Sequence, residues 1–148
     1  MKKDSFIIRG IPTIELYDQF GNLKQSLTQG NLIVDVGRNF IIQKAFDQLE
    51  NGPDLINTIA AGSGTTATAG SDTALENQLG ETLVSSYSVN NNEVTLFATI
   101  GENVATGTIN ELGILTDADL LISRIVVSTP FEKTSTDYLN VSWKIQIG

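Results

Sequence analysis

The sequence predicts a mainly β domain: an antiparallel β-sandwich, jelly-roll or Greek-key-like, with one amphipathic helix near residues 37–50 and a short helical turn near residues 73–79. Three observations carry that expectation. Near the end of the chain Leu139, Val141, Trp143, Ile145 and Ile147 alternate with Asn140, Ser142, Lys144 and Gln146, the two-residue period of a strand with one buried and one wet face. Short runs of strand-like composition recur along most of the chain between Gly, Asn and Asp turn residues, as closely spaced antiparallel strands do. Only the stretch after Gly37 changes to three- and four-residue spacing over a helix-length run, which is a helical period.

Taken in order, residues 13–17 place Ile14 and Leu16 on one face, and residues 18–22 (DQFGN) supply a turn before residues 23–27; this reads as a hairpin. Thr28-Gln29-Gly30 turns into a β-branched run at residues 31–36. Phe40, Ile41, Ile42, Ala45, Phe46 and Leu49 then form one apolar stripe opposite Arg38, Gln43, Lys44, Asp47 and Gln48, a helix packed on the core and ended by Asn51-Gly52-Pro53. Residues 55–60 are apolar, and residues 61–70 read as a mobile or partner-covered surface loop. Thr73 and Glu76 match a capping box, so a helical turn is expected there, closed by Gly80. Residues 82–89 and 93–100 flank Asn90-Asn91-Asn92, the strongest hairpin signal in the chain. Residues 107–115, 120–127 and 138–147 complete the strands. Residues 13–148 are therefore expected to form one β-rich domain, with residues 1–12 as an N-terminal arm or an edge strand.

Composition narrows the chemistry. At 148 residues the chain is long enough to bury roughly 70% of its unfolded surface in one core. It contains no Cys and no His, which removes disulfides, thiolate nucleophiles, zinc–thiolate sites and the commonest general acid–base side chain. No enzyme activity, metal or cofactor is expected. A net charge of −8, from 17 acidic and 9 basic residues, disfavours nucleic acid, whose binding depends on clustered cations. The opening MKKDSFIIRG lacks the apolar core of a signal peptide, and no run approaches a membrane span. A chain made in the cytosol, without a membrane partner, is expected.

Possible sites weaken on inspection. Gly62-Ser63-Gly64-Thr65 lacks the lysine of a phosphate loop. Asp117 and Asp119 lack the internal Gly and distal Glu of a calcium loop and read as a turn. Glu102 with Glu111 is a conceivable carboxylate pair, but the chain has one Trp and three Tyr, few platforms for a sugar ring. Lys133 and Lys144 read as surface charges with no apolar pocket to activate them. Glu111 lies among Ile109, Leu112 and Ile114, where a carboxylate needs a partner. Arg124 on the next strand is the expected one, with an intersubunit bridge as the alternative.

The order of segments resembles a family of small bacteriophage virion proteins. The resemblance rests on Asp18 and Gly21 in the first turn; Asn31, Leu32 and Gly37 before the helix; and Gly62, Gly64, Thr65, Thr66, Asp72, Thr73 and Leu75 in the loop. It continues through Ile109, Glu111, Gly113 and Ile114, then Leu121 and Arg124, Lys133 and Thr134, and finally Leu139, Val141 and Trp143. It spans about residues 13–147 and departs at Leu79-Gly80, where the pattern often carries an acidic residue followed by Arg.

What the resemblance implies is a virion component made in the host bacterial cytoplasm. The leading expectation is a multi-copy capsid decoration or cement protein bound to the major capsid protein or other virion proteins. The alternative is a tail, neck, baseplate or fibre-attachment part. A homo-oligomer is implied, a trimer if it occupies threefold sites. A lattice-binding domain suits a compact body with a reaching segment. Phe6, Ile7, Ile8 and Arg9, together with Gly62, Ser63, Gly64, Thr65 and Thr66, are the expected interface residues.

Overall fold

A computed structural model describes residues 7–148. Its strands are β1 (Ile8–Tyr17), β2 (Leu23–Thr28), β3 (Leu32–Ile33), β4 (Ile56–Gly62), β5 (Gln78–Leu83), β6 (Ser86–Asn90), β7 (Glu93–Ile100), β8 (Gly107–Thr116), β9 (Leu121–Lys133) and β10 (Tyr138–Ile147), with one helix, α1 (Asp35–Ala45). Two five-stranded sheets run in the orders β2-β1-β10-β7-β6 and β3-β9-β8-β4-β5, and every pairing is antiparallel. The pairs β1–β10, β3–β9, β4–β8 and β6–β7 nest inside one another, as in a long hairpin folded over itself.

The alternation in β10 places Leu139, Val141, Trp143 and Ile145 in a core shared by both sheets with Ile14, Leu16, Leu96, Ile114, Ile125 and Phe131. Trp143 is fully buried on the central strand of its sheet. A smaller cluster, Val34, Ala60, Leu75, Leu115 and Leu121, lies apart from this core. Ala60, Leu115 and Leu121 of β4, β8 and β9 are covered there by Leu75 of the long β4–β5 connection.

The two lateral sides of the sandwich differ. On the β2/β3 side, Gln25 donates to the carbonyls of Thr129 and Pro130, while Gln29 donates to the Val126 carbonyl and accepts from the Ser128 N–H. These bonds tie the chain around β2 to β9. On the other side, β5 and β6 are almost one strand: only Val84 and Ser85 separate them, and the chain passes there from one sheet to the other.

Several expectations are corrected. The helix begins at Asp35 and ends at Ala45, because Asp47 takes a left-handed backbone (φ 54°) well before Asn51-Gly52-Pro53. Of its residues only Gly37 and Phe40 are buried, whereas Ile42 is 52% and Phe46 is 68% exposed. The helix therefore docks through its first turns and not through the full stripe. No helical turn forms at residues 73–79; Gln78 already belongs to β5. Residues 8–12 form the first half of β1 and pair with β10, whereas β2 flanks β1 only from Thr13 onward.

Candidate functional site

The most elaborate polar arrangement lies under the connection between β4 and β5. Glu111 of central strand β8 is fully buried. Its Oε1 accepts the backbone N–H groups of Gly64 (3.0 Å) and Asn77 (2.7 Å), and its Oε2 accepts the N–H of Glu76 (3.0 Å) and Nε of Arg124 (2.7 Å). A carboxylate has about four lone-pair positions, so its accepting capacity is filled. Arg124 of β9, opposite Gly113 in the β8–β9 register, is 2% exposed. Its Nη1 donates to Asp72 Oδ2 (3.1 Å), and its Nη2 lies 3.6 Å from Glu76 Oε2. The expected internal pair of Glu111 and Arg124 is thus the centre of a four-residue network that also includes Asp72 and Glu76.

This network straps residues 63–77 across the sheet. Thr66 N–H donates to Glu76 Oε2, Ala69 N–H to Asp72 Oδ2, and Asn110 Nδ2 to the Ser63 carbonyl. The Gly70 carbonyl accepts the Asp35 N–H at the start of α1. The capping box fails for a specific reason: the N–H groups of Glu76 and Asn77, which would enter a helical turn, go to Glu111 instead. The loop is therefore tied down at Gly64, Thr66 and Ala69 by carboxylate acceptors. Gly62 and Gly64 are buried and Ser63 is half-buried, while Thr65, Thr66, Ala67 and Ala69 are exposed. A Cβ on Gly64 would come within 2.5 Å of both Glu111 Oε1 and Glu76 Cβ, so glycine is required there by close approach rather than by mobility.

Electrostatics agree with a structural role. Burial pushes the Glu111 carboxyl up, but the backbone donors and Arg124 together outweigh it and hold the carboxyl below its ordinary value. Burial likewise pushes the Arg124 guanidinium down, and Glu111 and Asp72 reverse that shift to a net rise. Both groups stay charged, and with its lone pairs occupied Glu111 is unavailable to move a proton.

The N-terminal candidates lie elsewhere. Phe6 falls outside the described residues. Ile7 is exposed, Ile8 is half-buried at the start of β1, and Arg9 is exposed. Ile7 and Ile8 line an apolar groove of about 670 Å³ with Arg38, Ile42, Phe46 and Ile147. One wall of this groove is the part of the helical stripe that the core does not cover. Arg9 lies instead in a second groove with Gly10, Asn31, Leu32 and Thr68, the last of these two residues beyond Thr66 in the strap.

The remaining candidates resolve individually. Asp117 Oδ1 accepts the N–H groups of Asp54 and Leu55, and Asp119 takes a left-handed turn conformation (φ 62°). Among the described residues no group of three or more His, Cys, Asp or Glu is placed to hold a metal ion, and no helix is long and apolar enough to cross a membrane. Glu102 is exposed while Glu111 is sealed under the strap. Lys144 is partly exposed, 3.7 Å from Glu93. Lys133 is not a surface charge: it is 2% exposed, its Nζ donates to the Gly101 carbonyl at 2.8 Å, and burial pushes its ammonium down.

Sequence reasoning missed Asp72 and Glu76 as partners of Arg124, although Asp72 directly precedes the capping-box signature and Glu76 belongs to it. It also missed Asp137, whose buried carboxylate accepts Lys24 Nζ at 2.8 Å and the Thr134 N–H at 2.9 Å. Comparison with family models, curated proteins and solved structures finds no match to this chain.

Proposed function

We propose that this chain is a non-enzymatic structural protein of a bacteriophage virion. The reading favoured is a multi-copy capsid decoration or cement protein that stabilises the head through protein–protein contacts. The observation that carries the proposal is the saturation of Glu111. The buried charge cluster holds the strap, and every acceptor position of its Glu111 carboxylate is occupied. Gly62, Gly64, Asp72, Leu75, Glu111, Gly113 and Arg124, scattered through the segments that resemble virion proteins, meet around this one strap. That convergence supports reading them as the shared framework of a small β-domain and not as a binding motif.

A tail, neck, baseplate or fibre-attachment role is the second reading, and one observation favours it. Residues 8–12, part of the expected arm, are held in β1 against β10 and are not free to reach across a capsid lattice. Copy number in purified virions separates the two. A number near that of the major capsid protein supports decoration, whereas six to a few dozen copies, in line with the point groups of such rings, supports neck or tail. Absence from the particle overturns both. For the decoration reading, added protein should raise the melting temperature of undecorated capsids, and no shift would count against a cement role.

A further inference from the structure

We propose that the outer edge formed by β6 is a contact between two copies of this chain, paired antiparallel so that the β2-β1-β10-β7-β6 sheets join into one continuous sheet. The edge strand β6 has β7 on one side, and no described strand lies on the other. Such an edge presents unpaired N–H and C=O groups, and natural proteins blunt it with charges, prolines or a covering segment. Among the described residues none of these is present on β6. Residues 82–92 (TLVSSYSVNNN) carry no charge and no proline in a chain of net charge −8, and all five residues of β6 are exposed.

The edge is also self-complementary. Tyr87 and Val89 share the face that pairs with Leu96 and Val94 of β7, and they remain 51% and 76% exposed. With a twofold axis through Ser88, Tyr87 of each copy lies opposite Val89 of the other, giving two aromatic–β-branched cross-strand pairs. Ser86 then lies opposite Asn90, and Ser88 opposite its own copy, on the polar face. A basic partner would gain from acidic residues along this edge, and a neutral one offers no such steering. A second acidic copy needs an edge without like charges, and residues 82–92 provide one. On the opposite side of the sandwich the outer strand β2 carries the charge of Lys24, and Gln25 and the neighbouring Gln29 tie it to β9. The proposal stands independently of a virion role, because its test uses the purified chain alone.

Sedimentation of the purified protein over a wide concentration range should show a monomer–dimer equilibrium. Val89→Lys, at a position too exposed to disturb the core, should leave the melting temperature of the monomer unchanged and shift the equilibrium to monomer. The chain has no cysteine, so Ser88→Cys reports geometry directly: mild oxidation should cross-link it to a dimer, while Ser26→Cys on exposed β2 should stay largely uncross-linked. A wild-type chain that is monomeric at every concentration overturns the proposal. A dimer that survives Val89→Lys, or that cross-links equally through Ser26→Cys, also overturns it by locating the contact elsewhere.

Discussion

At Arg124 a single side chain serves two purposes, neutralising a carboxylate inside the sheet and anchoring a loop above it. Removing one partner of a buried ion pair leaves an uncompensated charge and costs about 3–5 kcal/mol. Glu111 keeps three backbone donors when Arg124 is lost, so Arg124→Met should cost about 3 kcal/mol, near the low end. Urea unfolding should show this as a lower midpoint at unchanged slope; a loss below about 1 kcal/mol, the scale of an exposed pair, would sink the network as a stabilising unit. Gly64→Pro deletes the N–H that Glu111 accepts and crowds the carboxylate, so it should destabilise the isolated monomer rather than spare it for a defect in assembly. A variant melting at the wild-type temperature would contradict that. Lys133 gives a prediction of opposite sign. Burial depresses its folded pKa below 10.5, so between neutral pH and 10.5 the unfolded chain holds the proton more tightly and stability from this group rises with pH. Relative to Lys133→Met, the wild type should gain stability as pH is raised from 7 toward 10, and a pH-independent difference would refute it. The pair of Glu111 and Arg124 was legible because a carboxylate among aliphatic residues needs a partner on the next strand. Its backbone donors were not: an N–H carries no residue signature, and these come from a loop 34 to 47 positions away.

At the level of elements, α1 shows how a correct period can place a helix and misjudge its docking. The stripe is helical only as far as Ala45, and Gly37 sets the contact. A Cβ there would overlap the carbonyl oxygen of Ile122 in β9, so the first turn lies directly on the sheet backbone, while Ile42 in a later turn is exposed. Gly37→Val should therefore destabilise by roughly 1–3 kcal/mol through overpacking. Phe46→Ser, beyond the last turn, should stay within about 0.5 kcal/mol, as surface substitutions do. Equal losses for the two variants in thermal unfolding would show that the helix packs along its whole stripe. The hairpin at Asn90-Asn91-Asn92 was legible from local chemistry, and Asn91 takes the left-handed conformation that asparagine tolerates (φ 55°). The passage of the chain from β5 to β6 was not, because Leu83-Val84-Ser85-Ser86 contains no glycine or proline to mark a change of sheet.

For the whole molecule, the buried carboxylates and the net charge of −8 act in opposite directions as pH falls. Protonating exposed acids first relieves self-repulsion, which slightly favours the folded chain. Glu111 and Asp137 then oppose it. In both, burial raises the carboxyl, but hydrogen bonds and a cation outweigh that rise and leave the folded pKa below the ordinary 4.5 and 3.8. A depressed folded pKa means that the unfolded chain takes up the proton first. The stabilisation is thus complete above the unfolded value and disappears as pH drops through the folded one. Stability should hold from neutral pH to about pH 5 and fall steeply below about pH 4.5, with both carboxylates contributing. Glu111→Gln, which cannot ionise, should be less stable at pH 7 and show a shallower acid limb, so that its stability and that of the wild type converge as pH falls. Urea midpoints measured from pH 7 to pH 3 test this directly. Parallel curves for the two proteins would mean that the acid loss arises outside the strap, and that Glu111 carries no net charge-dependent stabilisation.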